Sequence, residues 1–399
     1  MNIINNLPKS IKKLHPNIYP VSSKGSFVFT ANKSKYLDLT SGIGALSTGH
    51  NHPYIVNRVT NQLKQYVHFQ QHIFKSHPVQ AELTQKILAT MPDESLDNIL
   101  YLNSGSEATD NSIRIARKYT RKPNIIAMNK GFHGRSIGAL SVTSSNISCR
   151  EGLSPLLPNV FFCHDFTKSS LENIFEYQSS PFDTAGIILE PVQGEGGIYS
   201  IDSEFLKYVE EVCQEHNILL IADEVQCGAM RTGTWWNFEQ KGITPDIMTF
   251  GKGIASGYPL AGVISSSRIM NSLGEGYLGG TYGGNAIASA AASATIDILN
   301  NDDIQKNVNE MGKYIKDNLI DEPIIKEIRQ YGLMIAIEFT FSNQNPYYTK
   351  EIVEQLAEEG ILVLLAGNKN QYIRLLPPLN ISKEEIDLFI LKFKTIWLF

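Results

Sequence analysis

Seven short apolar runs constrain this 399-residue chain more than any other feature. They are NILYL (98–102), NIIAM (124–128), NVFFC (159–163), AGIILEP (185–191), ILLIADE (218–224), DIMTF (246–250) and LAGVIS (260–265). Each is apolar on both faces, and several are separated by amphipathic stretches such as SEFLKYVEEVCQEHN (203–217). That pattern predicts strands of a mainly parallel sheet with helices covering both sides. The crossovers should be right-handed, and ligands of such sheets bind at the carboxyl ends of the strands. NAIASAAASATIDILNN (285–301) predicts a long helix of small residues. Mixed helices and strands follow, including IKEIRQYGLMIAIEF (325–339), and a final helix is expected near 382–398. The expected fold class is α/β. A large domain at 48–290 holds a seven-stranded sheet, and a smaller α/β domain combines the N-terminal segment 1–47 with 291–399.

The net charge of -5 argues against nucleic acid or an anionic membrane as the main partner. Cys149, Cys163, Cys213 and Cys227 form no C-x-x-C pair and no disulfide framework. A reducing compartment, the cytoplasm, is expected, and no metal site. The opening MNIINNLPKSIKKLHP lacks a signal-peptide core, and no stretch is apolar enough to span a bilayer.

LLIADEVQCGAMRTG (219–233) raises the chemical question, because an apolar strand ends on two acids, Asp223 and Glu224. Alone, a helix cap or an ion pair would account for Asp223. LNSGSEATDNSIRIARKY (102–119) runs from a strand end through Ser104, Gly105 and Ser106 into a helix. Free N–H groups and the helix dipole make such a turn an anion cradle, although a plain capped helix has the same pattern. In NKGFHGRSIGA (129–139), Phe132 could stack on a planar ligand and Arg135 could clamp a carboxylate. Core packing and a surface ion pair are their ordinary uses. TFGKGIASGYPLAG (249–262) holds Lys252 between two glycines. A loop lysine is usually solvated, but a desolvated one loses its proton readily and attacks carbonyl groups. Together these are the parts that hold pyridoxal phosphate. Lys252 would take the aldehyde, Asp223 the ring nitrogen, and Gly105 with Ser106 the phosphate.

The motifs SGIGALSTGHNHP (41–53), NSGSEA, GFHGR, EPVQGEGG, LLIADEVQ, GKGIASGYPLAG, GGTYGGN and IRLLPPLNIS (373–382) span almost the whole chain. In this order they resemble the class III aminotransferases of the fold-type I pyridoxal-phosphate enzymes, the ornithine, 4-aminobutyrate and acetylornithine group. The resemblance implies that Lys252 bonds the cofactor and then carries the proton between substrate and cofactor carbons. It implies that Asp223 pairs with the ring nitrogen and Gln226 with the ring's 3-oxygen. Val225 would support one ring face, and Phe132 would stack on the other. Gly105 and Ser106 would hold the phosphate. Thr281 would reach the phosphate of the neighbouring subunit's cofactor, which implies a homodimer with shared sites. Arg135 would bind the carboxylate distant from the reacting amine, and Arg374 an α-carboxylate. Glu195 would pair with Arg374 when no α-carboxylate is present.

Ile43 stands where the ornithine enzymes of this resemblance carry tyrosine, as it does in 4-aminobutyrate and acetylornithine types. The reading favours 4-aminobutyrate as amino donor with 2-oxoglutarate as acceptor. Acetylornithine or ornithine is the alternative, and an aminomutase or racemase on the same scaffold is a further one. The chain departs from the family's pattern at Ala229–Met230, where a glycine-containing pair is usual, and carries the pair Trp235–Trp236 nearby.

Overall fold

The computed structural model describes residues 8–396 apart from 12, 72, 342–344 and 346. All seven apolar runs supply strands of one sheet, in the order 98–102, 261–265, 247–250, 219–223, 184–189, 124–128 and 160–163. Ala261–Ser265 is antiparallel to both its neighbours, and the other pairings are parallel. The central strand Leu219–Asp223 is buried along its length, so its sequence shows no polar alternation. Leu220, Ile187 and Met248 belong to one core cluster, while Ile221, Ile188 and Ile247 belong to another. The run at 185–191 forms the strand Thr184–Leu189, which stops before Pro191. Proline has no N–H for a ladder, and the stop leaves Glu190 at the strand's carboxyl end.

Local chemistry sets the helix ends. Gly105–Thr120 starts at Ser104, whose hydroxyl accepts from Glu107 N at 3.3 Å, and stops at Arg121 with φ 59°. Ser203–His216 starts at Asp202, which accepts from the N–H groups of Glu204 and Phe205, and stops at Asn217 with φ 50°. Ala286–Leu299 is apolar almost all round because it is enclosed, packing against the helices Pro53–Leu63 and Pro78–Leu88. The boundary expected at 290 lies inside this continuous helix.

The strands Pro20–Lys24, Phe27–Thr30 and Lys35–Asp38 form a second sheet that takes its fourth strand, Ile361–Leu362, from the far end of the chain. Leu37 lies opposite Ile361 in parallel register. The segment 325–339 is a hairpin, Ile325–Tyr331 with Met334–Phe339, turned at Gly332 with φ 53°. Tyr372–Leu375 pairs on its second strand, placing Arg374 opposite Ala336. The last helix is Lys383–Thr395, opened by reciprocal bonds between Ser382 and Glu385. Positions 397 and 398 of the expected final helix lie outside the described residues. The four cysteines are unpaired. Among the described residues no helix is long and apolar enough to cross a membrane.

Candidate active site

The carboxyl ends of five strands of the large sheet bring the chemistry together. Asp223 ends the central strand and is 3% exposed. Its Oδ2 lies 2.7 Å from Nδ1 of His133, and its Oδ1 accepts from Thr249 Oγ1 at 3.0 Å and Val225 N at 3.1 Å. Burial alone would lower the His133 pKa. The hydrogen bond and charge of Asp223 outweigh it, and the pKa is raised. Glu224 serves a different purpose. Its carboxylate accepts from Phe238 N at 2.8 Å and from the Cys227 thiol at 3.0 Å, and burial pushes it up to about 7. Neighbouring positions on a strand face opposite ways, so one acid serves the site and the other fastens the following helix.

Lys252 follows the strand Ile247–Phe250 at φ 44° and opens a single turn, 252–255. Burial lowers its pKa, and the charge of Arg374 also lowers it, against the opposing charge of Glu195. Its flanking glycines make close approaches. A Cβ on Gly251 would lie 3.4 Å from Val225 Cγ1, and one on Gly253 would lie 2.3 Å from Ser47 Oγ.

Gly105 begins the helix after Asn98–Leu102, and a Cβ there would meet Val225 Cγ1 at 2.9 Å. Val225 therefore packs between the helix start and the lysine loop. Ser106 Oγ accepts from Arg135 N at 3.1 Å, joining the cradle to the loop after Asn124–Met128. The Ser104 hydroxyl is engaged as the helix cap. In the neighbouring loop Phe132 N donates to Glu190 Oε1 at 2.8 Å, and Gly194 N donates to Glu190 Oε2 at 3.0 Å. Burial, opposed by the charge of His133, pushes the Glu190 carboxyl up to about 7.

Arg374 is 2% exposed. Its Nη2 donates to Glu195 Oε1 at 2.7 Å and its Nη1 to Gln226 Oε1 at 3.1 Å, while its Nε is buried without a partner. Burial would raise the Glu195 pKa, but the Arg374 charge and hydrogen bond, helped by Lys252 and Arg135, hold it below its ordinary value. Arg135 is exposed, and its charge reaches this carboxylate. Ile43 is 43% exposed in a turn whose residues Ser41, Gly42, Ile43 and Gly44 all have positive φ. A Cβ on Gly44 would touch Leu376 Cδ1 at 3.5 Å, so the Ile43 turn adjoins the end of the Arg374 strand.

Thr281 stands apart. It is exposed on the loop before Ala286–Leu299, where Gly280 O accepts from Gln70 and Gln71 at 3.4 Å.

The family model for the class III aminotransferases matches residues 10–397. The chain belongs to the class III aminotransferases. It is 34% identical over 398 residues to the 4-aminobutyrate aminotransferase of Escherichia coli, with 95% of this chain and 93% of that enzyme covered. It is 35% identical over 399 residues to the 5-aminovalerate aminotransferase of Pseudomonas putida, covering 96% and 93%. It is 36% identical over 396 residues to the acetylornithine aminotransferase of Methanocaldococcus jannaschii, covering 95% and 94%. Among solved structures, the ornithine aminotransferase of Toxoplasma gondii superposes with a TM-score of 0.86 at 28% identity, over 96% of this chain and 91% of that one.

Class III aminotransferases depend on pyridoxal 5′-phosphate. The residues at this site fit it. A helix start opens with a glycine that no larger residue could replace without moving Val225. A lysine with a lowered pKa sits within electrostatic reach of a buried acid. His133 and Glu190 are the residues that sequence reasoning left without a role. Both stand inside quoted motifs, GFHGR and EPVQGEGG, so the signal was present. Only the folded chain shows that His133 answers Asp223.

Proposed function

We propose that this aminotransferase moves the amino group of an ω-amino acid, 4-aminobutyrate first among them, to 2-oxoglutarate. The observation that carries this reading is the Arg374–Glu195 pair at 2.7 Å. Glutamate brings two carboxylates and needs Arg135 and Arg374 both free. An ω-amine brings one, which Arg135 would take. A buried guanidinium left alone would cost on the order of several kcal/mol. Glu195 removes that cost by staying paired, and turns away when an α-carboxylate competes for Arg374.

Pyridoxal phosphate, when bound, supplies an aldehyde that takes up amines and a ring that accepts the electrons released at the substrate carbon. The chain's own residues do the rest. Gly105 and Ser106 offer the helix-start N–H groups to the phosphate. Phe132 and Val225 would bracket the ring, and Gln226 would face its 3-oxygen. Asp223, held by His133 and Thr249, would face the ring nitrogen. Lys252, its pKa lowered by burial, is the base that moves the proton between carbons. Thr281, exposed on its loop, would reach across to a second copy's phosphate, which makes the working unit a homodimer. We place the enzyme in the cytoplasm. We also treat the termini as one smaller domain, supported by the pairing of Leu37 with Ile361.

Acetylornithine is the second reading, equally compatible with Ile43 and favoured by a 36% identical relative of that activity. A screen decides. Purified enzyme receives 2-oxoglutarate with 4-aminobutyrate, 5-aminovalerate, ornithine or acetylornithine, and glutamate is measured. Fastest release from 4-aminobutyrate supports the proposal, and fastest release from acetylornithine replaces it. No glutamate from any ω-amine would overturn it.

A further inference from the structure

A cleft of about 360 Å³ lies beside the Glu195 segment, with Gly196, Lys130 and Lys369 in its lining. None of its lining residues is acidic. Among the described residues neither lysine has a carboxylate within 4.0 Å. Lys130 Nζ instead stands 5.0 Å from the centre of the Tyr199 ring. Ser144 also lines the cleft, and its Oγ is buried without a partner. Behind Tyr199 and Tyr372, Arg329 stacks at 4.3 and 4.4 Å from their ring centres, but Glu327 and Glu338 already answer its charge. The two ammonium groups are therefore the unanswered charges of this cleft. A small anion in the cleft would answer both charges.

We propose that this cleft binds a small oxyanion, a phosphate or a carboxylate, held by Lys130 and Lys369. Arg135 and Arg374 are not part of its lining, so this is a second anion site beside the one for substrate. Its position also gives it a consequence. Gly196 follows Glu195 and approaches Lys130 so closely that a Cβ would lie 2.7 Å from Lys130 O. Gly367 N donates to Glu195 O at 2.9 Å, two residues before Lys369. An anion spanning the lysines would tie together the two segments that hold Glu195.

The test uses the cofactor-loaded enzyme and isothermal titration with inorganic phosphate and, separately, with succinate. One saturable site per chain that depends on Lys130 and Lys369 is expected for at least one of them, apart from any succinate binding at Arg135 and Arg374, and the ligand that fills this site more tightly identifies the source of the oxyanion. Lys130→Ala with Lys369→Ala should weaken binding about ten-fold or more, and the corresponding arginine pair should hold it within about three-fold. Arg135→Ala should leave this lysine-dependent binding unchanged, while any succinate binding at the substrate arginines weakens. Absence of saturable binding, or unchanged affinity in the double alanine variant, would overturn the proposal. So would loss of the lysine-dependent binding in Arg135→Ala, which would put the anion in the substrate site.

Discussion

Oδ2 of Asp223 and Nδ1 of His133 lie 2.7 Å apart in a part of the molecule sealed from solvent on both sides of the contact. A raised His133 pKa favours the imidazolium, which places a cation beside the Asp223 carboxyl group. Asp223→Asn keeps the shape and removes the anion. The variant should still bind cofactor, but its single-turnover rate should fall about a hundred-fold or more, with little change in substrate binding. His133→Asn should give a smaller loss in the same step. Stopped-flow measurement of the cofactor's absorbance checks both, and an unchanged rate in Asp223→Asn rejects the pairing.

Glu195→Ala should separate the two half-reactions. An ω-amine would then leave Arg374 without its carboxylate, while glutamate supplies its own. Relative to glutamate, kcat/KM for 4-aminobutyrate should fall by an amount equivalent to about 1–3 kcal/mol. Arg374→Ala should do the reverse and harm glutamate most. Pre-steady-state absorbance changes with each donor alone supply the comparison, and equal losses for both donors would make Glu195 a general structural acid.

Val225 packs so close to Gly105 that one methyl group is too many. In Gly105→Ala the new Cβ meets a β-branched side chain with few alternative rotamers, at 2.9 Å. Overpacking of this kind costs about 1–3 kcal/mol. Cofactor affinity should drop with stability, because the helix-start N–H groups move. Val225→Ala in the same chain should restore part of both. Cofactor titration and urea denaturation of the single and double variants measure the coupling, and additive losses would show that the contact does not limit the site.

Glu224 makes stability depend on pH in a definite direction. Its folded pKa of about 7 lies above the ordinary carboxylate value, so the folded chain binds the extra proton between roughly pH 4.5 and 7. Folding is then favoured at the acid end of that window, and this contribution is lost as pH rises through 7. The loss is on the order of 3 kcal/mol for a shift of this size. Glu224→Gln keeps an acceptor for Phe238 N and cannot titrate. Denaturation at pH 5.5 and 7.5 should show a smaller difference in the variant than in the parent, and an equal difference would assign the effect elsewhere. His133, also raised, loses its contribution above about pH 6.5 and gives a background of the same sign in both proteins.

Much of the fold was legible because burial on both faces leaves a mark on short stretches of chain. ILLIADE and NIIAM could be assigned to covered strands without any neighbour being known, and each lies in the sheet. Ser104 stands directly before a helical pattern and caps it, and the patterns at 203–217 and 285–301 begin within a residue of the helices that Asp202 and Asn285 cap. Candidate site residues were visible for the same reason, since Asp223, Lys252 and Gly105 sit where apolar runs end. Glu224 was not separable from Asp223, because adjacent acids read alike until the strand's two faces are known.

The sequence by itself determined the local states, meaning which stretches are extended, where helices begin, and which strand ends carry polar groups. Only the tertiary structure decided who meets whom. Arg374 and Glu195 are 179 residues apart in the chain, and Asp223 and His133 are 90 apart. The central strand lies between 184–189 and 247–250, and 261–265 turns antiparallel to its neighbours, an order and a direction that no local pattern records. Periodicity reports which face of a segment is buried. It carries no information on the distance between segments, and the chemistry of this site depends on distances of about one hydrogen bond.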